Sequence, residues 1–264
     1  MAIYDCFQYF NEDHMVDLRL NILNEYVDYF VISESTKTHQ GNNKDINFDI
    51  KKFSKFRHKI KFILAEFKEE INFTKHLGGE SPIEQHQRNS LIEGLKNASG
   101  EDLVILSDSD EIPDLTKLSE INHRKKYIAF CQKMFMYKLN LQNLNESNWI
   151  GSKITKVKYL KSMQEFRNMK FKNYPFWRID KFNQQIINGG WHFSFLQTPD
   201  QILNKIKSFS HGEFNRESLN TKIIEKKILE NEDIFGRGNK LEKVYIDNSY
   251  PKYITENKDN LSDW

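Results

Sequence analysis

Residues 102–113 read DLVILSDSDEIP, and the fold turns on this stretch. Leu103, Val104, Ile105 and Leu106 form an unbroken apolar run with β-branched members, the pattern of a strand buried on both faces in a helix-covered parallel sheet. Directly behind it stand Asp108, Asp110 and Glu111, three carboxylates within four positions, closed by Pro113. In open α/β sheets, ligands sit outside the carboxyl ends of the strands, where loops present side chains. Like charges crowded at the rim of a core repel unless something positive lies between them. An Asp-x-Asp in that place suits a hard divalent cation, which prefers oxygen ligands and bridges to substrate phosphates. Taken alone it is as readily a solvated acidic turn. The rest of the chain decides between the two.

Moving outward, residues 29–32 (YFVI) and 61–65 (KFILA) are two further apolar runs, and residues 2–10 form a first, aromatic one. The runs at 29–32, 61–65 and 103–106 are each followed by a carboxylate: Glu34, Glu66 and the 108–111 cluster. Three acidic strand ends point to one polar rim. After the first strand Asn11 or Asp13 is placed to cap a helix, with Met15, Leu18, Ile22 and Tyr26 on one stripe. Asp17 and Arg19 lie off this stripe and are expected at the surface. Residues 36–47, with Gly41 and little periodicity, make a loop long enough to fold over a ligand.

Ser81-Pro82 starts a second helix, serine as cap and proline in the first turn. Its inner stripe, Leu91, Leu95 and Ala98, extends back to Arg88 and then Glu84. A lone buried guanidinium is costly. Arg88 therefore either pairs with Glu84 four residues earlier or reaches the phosphates of a nucleotide, which its bidentate geometry suits. Further on, a short helix is expected over 114–121 and strands over 127–141 and 149–157. Residues 166–174 read as basic and irregular. A strand pair over 176–182 and 186–196 surrounds Gly189-Gly190-Trp191-His192, and helices follow from Thr198-Pro199 to about residue 209 and over 216–230. No repeat or linker divides the chain. It reads as one domain, 1–264, with a nucleotide-binding half (1–113) and an acceptor and closing half (114–264).

The 264 residues carry 39 Lys and Arg against 37 Asp and Glu, a net charge of +2, which gives no electrostatic footprint for nucleic acid or a membrane surface. Two cysteines, Cys6 and Cys131, make no disulfide framework and fit a reduced compartment. The N-terminus lacks the basic and apolar regions of a signal peptide, and no apolar run reaches the roughly 18 residues of a membrane span. The expected location is the cytoplasm. The glycosylation patterns at Asn72, Asn97, Asn145 and Asn260 are then chance matches in an asparagine-rich chain.

The chain resembles glycosyltransferase family 17, whose animal members are bisecting N-acetylglucosaminyltransferases. The resemblance is carried by Ser33–Ser35 with the glycine-containing loop behind it, SDSDEIP at 107–113, GWHFSF at 190–195, TPD at 198–200 and PKYITEN at 251–257. It implies an α/β, GT-A-like (Rossmann-type) fold with a mixed, mainly parallel central sheet and flanking helices. It also implies a UDP-sugar donor, UDP-N-acetylglucosamine in the animal enzyme, and inversion at the anomeric carbon. Without the animal enzyme's anchor or stem, the expected acceptor is a bacterial or viral surface glycan or glycolipid. Nothing in the sequence sets an oligomeric state.

The expected metal ligands for Mn2+ or Mg2+ are Asp110, with Asp108 directly or through water, and His192; Asp108 alternatively holds ribose hydroxyls, and His211 ranks behind His192. Glu34, Arg88, Asp108 and Trp191 are expected at the nucleotide sugar, with Trp191 and Phe193 available to stack on it. Inversion in one step needs a carboxylate to take the acceptor's hydroxyl proton. Glu213, at an acidic position of the family, is the first candidate and Glu111 the second. Three other readings compete. A haloacid-dehalogenase phosphotransferase places its DxD on the first strand, not after a fourth apolar run. A sugar nucleotidyltransferase shares the rim chemistry but needs a Gly-rich N-terminal phosphate loop. A glycan-binding module keeps the fold without turnover.

Overall fold

A computed structural model describes residues 1–67, 81–172, 177–178, 181–208, 219–261 and 264. The N-terminal half supplies strands β1 (Ile3–Gln8), β2 (Tyr29–Ser35), β3 (Ile60–Ala65), β4 (Leu103–Ser107) and β5 (Glu111–Pro113). The C-terminal half supplies β6 (Tyr127–Met136), β7 (Leu141–Asn143), β8 (Trp149–Lys156), β9 (Gln184–Ser194) and β10 (Leu241–Lys243). Among the described residues these form one mixed sheet in the order β10-β7-β6-β8-β4-β1-β2-β3. Strands β4, β1, β2 and β3 are parallel, as their apolar runs require. Beyond β4 the chain returns in antiparallel steps through β8, β6, β7 and β10. Strand β9 rejoins β6 in parallel and carries β5 on its other edge.

Period-two alternation decides which helix covers which face. Phe7, Phe30, Ile32 and Ile105 pack with Val16, Leu20 and Leu23 of helix α1 (Asp13–Leu23). Their neighbours Cys6, Val31, Val104 and Leu106 pack on the opposite side, against Leu91, Leu95 and Met163. Helix α2 (Pro82–Ser90) begins as read, the Ser81 hydroxyl accepting from the amide of Glu84, and continues as a 3₁₀ turn over Leu91–Leu95. Short α3 (Met163–Asn168) lies on that same side. Under the far end of the sheet, Ile202 and Ile206 of α4 (Pro199–Ser208) meet Ile224 of α5 (Thr221–Leu229), Met136 and Leu141. A last short helix, α6 (Lys252–Glu256), rests on α1. Among the described residues no helix is long and apolar enough to cross a membrane.

Three local expectations fail. The N-cap of α1 is Glu12, whose carboxylate accepts the amides of Phe10 and Asn11 instead of capping the helix. Of the strand expected over 176–182, the described residues 177–178 and 181–182 are not in a strand, and β9 begins at Gln184. Arg19 is fully buried, although it lies off the apolar stripe of α1. Its flank of the helix is covered by the loop after β4, so α1 is enclosed on more than one side.

The two ends of the fold meet where His14 stacks on Trp264, ring centroids 3.7 Å apart. Burial lowers the His14 pKa from 6.5 to about 4, and its Nε2 is buried without a hydrogen-bond partner among the described residues. The folded state therefore favours the neutral ring. Its contribution is complete above pH 6.5 and is lost as the pH falls towards 4. Urea midpoints measured between pH 7 and pH 5 should drop more steeply for the wild type than for His14→Phe, which keeps the stack and cannot titrate; equal slopes would remove His14 as the cause.

Candidate active site

The site forms where two distant motifs are zipped together. Strand β5 runs antiparallel to β9, with Glu111 opposite His192, Ile112 opposite Trp191 and Pro113 opposite Gly190. Gly190 is obligatory here: its φ is +114°, and a Cβ would stand 2.5 Å from the carbonyl oxygen of Ile112. The amide of Phe193 donates to the Asp110 carbonyl at 2.9 Å. His192 Nε2 thereby comes 3.6 Å from Asp110 Oδ1.

Arg19 holds the loop from behind. Its Nε and Nη2 grip both carboxylate oxygens of Asp5, on β1, at 2.7 and 2.6 Å. Its Nη1 donates to the carbonyl of Glu111 at 2.6 Å and, more loosely, to those of Asp108 and Ser109 at 3.3 and 3.4 Å. The acidic loop is thus pinned by its backbone, and its carboxylates are left to other partners. Arg167 Nη2 donates to Asp108 Oδ2 at 2.7 Å, and Arg88 stands 3.7 Å from its other oxygen. Burial opposes the charge on Asp108, but Arg167 and Arg88 hold its carboxyl well below the usual range. Burial likewise opposes the charges on Asp110 and His192, and their mutual attraction prevails, lowering the carboxyl and raising the imidazole.

In front of this loop opens a cleft of about 420 Å³. Asp108, Asp110 and His192 line it, together with Trp149, Arg167 and Lys205. Burial works against the charge of Lys205, while Glu12, 3.0 Å away, and Asp110 stabilise it and raise its pKa. Trp149 tilts over His192 with ring centroids 4.8 Å apart.

Several expected residues lie elsewhere. Glu111 is buried, with Oε1 accepting from the Trp149 indole at 2.7 Å and Oε2 from the Asp108 amide at 3.1 Å. Both oxygens brace the loop, and Glu111 does not line the cleft. Glu34 is buried under the loop it precedes: it accepts the amides of Asn47 and Phe48 and pairs with Lys44, so its charge organises residues 36–48. Arg88 does make the pair with Glu84, at 2.8 Å, donates to Gln164 at 2.6 Å and lies behind the cleft wall. Trp191 points away from His192, as neighbours on a strand must. Its indole donates to the Ser249 carbonyl, and it lines a second, polar hollow with Lys133, Asn148 and Asn188. His211 and Glu213 fall outside the described residues.

Among the described residues no three His, Cys, Asp or Glu side chains are grouped to enclose a metal ion. Asp110 and His192 are together, and the buried His192 Nδ1 has no hydrogen-bond partner among the described residues. Asp108 is committed to arginines. One carboxylate and one imidazole do not make an all-protein cage. They fit a hard cation that keeps water and is completed by substrate phosphates.

Residues 1–243 match the sequence profile of glycosyltransferase family 17. The chain belongs to glycosyltransferase family 17. It is a glycosyltransferase, and its mixed α/β sheet is the architecture the resemblance implied. No curated protein matches this family 17 chain. Among solved structures it is similar to a Bacillus anthracis putative glucose-1-phosphate thymidylyltransferase in complex with a sucrose, at 10% identity over 72% of this chain and 88% of that one, TM-score 0.39. It is also similar to glucosyl-3-phosphoglycerate synthase of Mycobacterium tuberculosis in complex with Mn2+ and UDP-glucose, at 11% identity over 96% and 91%, TM-score 0.35. The glycosyltransferase GlyE of Streptococcus pneumoniae aligns at 14% identity over 86% and 43%, TM-score 0.28. Alignments this loose carry no argument about substrate.

Proposed function

We propose that this family 17 enzyme transfers a sugar, N-acetylglucosamine by its family resemblance, from a UDP donor to a hydroxyl of a glycan or glycolipid acceptor, with inversion and with the help of Mn2+ or Mg2+. The observation that carries the reading is the Asp110–His192 pair facing a cleft whose walls also present Arg167 and Lys205. A sugar diphosphate leaves with growing negative charge, and preorganised charges in a water-poor site stabilise it most. Asp110 and His192 would hold the cation, which, when bound, supplies Lewis-acid neutralisation of the leaving diphosphate. Lys205, kept protonated beside Glu12, adds a fixed positive charge on the α4 side. Arg167 holds Asp108 and is near enough to the cleft to meet an anion. Trp149 offers an aromatic face beside His192 for the donor sugar, the role expected of Trp191.

The test is incubation with Mn2+ and a panel of UDP-sugars. Release of UDP is expected for one of them. Pyrophosphate release would show a nucleotidyltransferase, and saturable binding without turnover a glycan- or nucleotide-binding module.

A further inference from the structure

Five carboxylates line the cleft: Glu12, Glu84, Asp108, Asp110 and Glu146. Four are already engaged. Glu12 pairs with Lys205 and accepts two backbone amides, and Glu84 pairs with Arg88. Asp108 is held by Arg167, and Asp110 by His192. Glu146, half-buried in the loop between β7 and β8, makes no hydrogen bond or ion pair with any described residue. A carboxylate locked to a cation gives up that pairing when it takes a proton, so it is a poor proton acceptor. A free one gives up nothing.

The loop around Glu146 is fixed although its carboxylate is not. The amide of Asn145 donates to Asn143 Oδ1 at 3.0 Å, and Asn145 Oδ1 accepts the amide of Lys240 at 2.7 Å. Three residues after Glu146, Trp149 is anchored on Glu111 and tilts over His192. This arrangement, a loop side chain presented by a rigid scaffold, is where reactive groups are commonly found. The loop also divides two hollows. Glu146 and Trp149 line the cleft, whereas Ser147 and Asn148 line the second one, of about 490 Å³, where Asn188, Asn248 and Trp191 offer the amides and indole that suit a saccharide. The loop thus borders both hollows, with Glu146 on the side of the cleft.

We propose that Glu146 is the general base of the transfer, an inference that rests on the reading of the cleft as a nucleotide-sugar site. In the step, the acceptor hydroxyl oxygen bonds to the sugar C1 and its proton passes to the Glu146 carboxylate. The bond from C1 to the phosphate oxygen breaks, and its electron pair leaves with the nucleoside diphosphate. Attack from the side opposite the leaving group inverts the anomeric centre.

The test uses the full chain with UDP-N-acetylglucosamine and Mn2+, water serving as the acceptor, and reads UDP release together with calorimetric donor affinity. Glu146→Gln should lower kcat by about 10²-fold or more, the range of a general base, with donor KM and affinity unchanged. Glu146→Asp should recover part of the loss. Turnover of Glu146→Gln within a few-fold of wild type would overturn the assignment, as would a matching loss in Glu213→Gln alone. A wild-type protein that binds no UDP-sugar would instead remove the reading of the cleft itself, and the two failures are told apart by donor affinity.

Discussion

Arg19→Leu should be the most damaging single substitution in the fold, costing on the order of 3–5 kcal/mol, the penalty for breaking a buried ion pair from one side. Both Arg19 and Asp5 are wholly buried and joined by two short hydrogen bonds. Without the guanidinium, Asp5 keeps a charge with no counter-ion, and the Glu111 carbonyl loses its 2.6 Å donor. That carbonyl still accepts from the Ser152 hydroxyl at 3.0 Å, so the unpaired Asp5 carries most of the cost. Arg19→Lys keeps the charge, but its ammonium cannot replace the planar fork that serves Asp5 and the loop carbonyls together, so an intermediate loss is expected. The double variant Arg19→Leu/Asp5→Leu separates fold from site. An apolar pair of similar volume often restores stability, yet the guanidinium that gathers the carbonyls of Asp108, Ser109 and Glu111 is then gone. Its urea midpoint should return towards wild type while turnover stays low. A single-variant shift below about 1 kcal/mol, or full activity in the double variant, would show that Arg19 does not set this loop.

The parallel half of the sheet was legible because its strands are buried on both faces and so appear as unbroken apolar runs at 29–32, 61–65 and 103–106. The placement of Asp110 and His192 was legible for a related reason: a strand-end acidic cluster and a Gly-Gly-Trp-His stretch each carry a local signal. What periodicity cannot report is which elements close over a helix from a distance. Arg19 was expected at the surface because it lies off the stripe of α1, but the loop 89 residues further on accepts its guanidinium. Glu34 ends a strand and so reads as part of the polar rim, and nothing local says that residues 47–48 fold back to hand it their amides. Trp149 arrives on an antiparallel return whose register no short-range pattern encodes, and Arg167 on the short helix α3 that follows it. Strand alternation carries a further signal: Trp191 and His192 are adjacent in β9, so only one of them faces the cleft.

Asp110→Asn should lower turnover by roughly 10²–10³-fold, the range found when one preorganised transition-state contact is removed, while leaving the fold intact. Fold and function separate here because the structural contact of Asp110 is its backbone: its carbonyl accepts from Phe193, and that bond survives the substitution. The side chain, by contrast, faces the cleft, pairs with His192 and stabilises the protonated form of Lys205. Asparagine keeps the size and one acceptor oxygen but removes the negative charge that a divalent cation requires. Titrating UDP calorimetrically with Mn2+ and then with EDTA should show a large metal-dependent gain in wild type and little or none in Asp110→Asn. Asp108→Asn should behave differently. Its carboxylate is held by Arg167, with Arg88 3.7 Å away, so the substitution removes a negative charge beside Arg167 at the cleft wall, and metal-independent UDP affinity should be kept or should rise. If both variants lost the metal-dependent gain equally, Asp108 would be a ligand that changes partner when donor binds. If Asp110→Asn kept its turnover and its response to Mn2+, the acidic loop would not be where the diphosphate leaves.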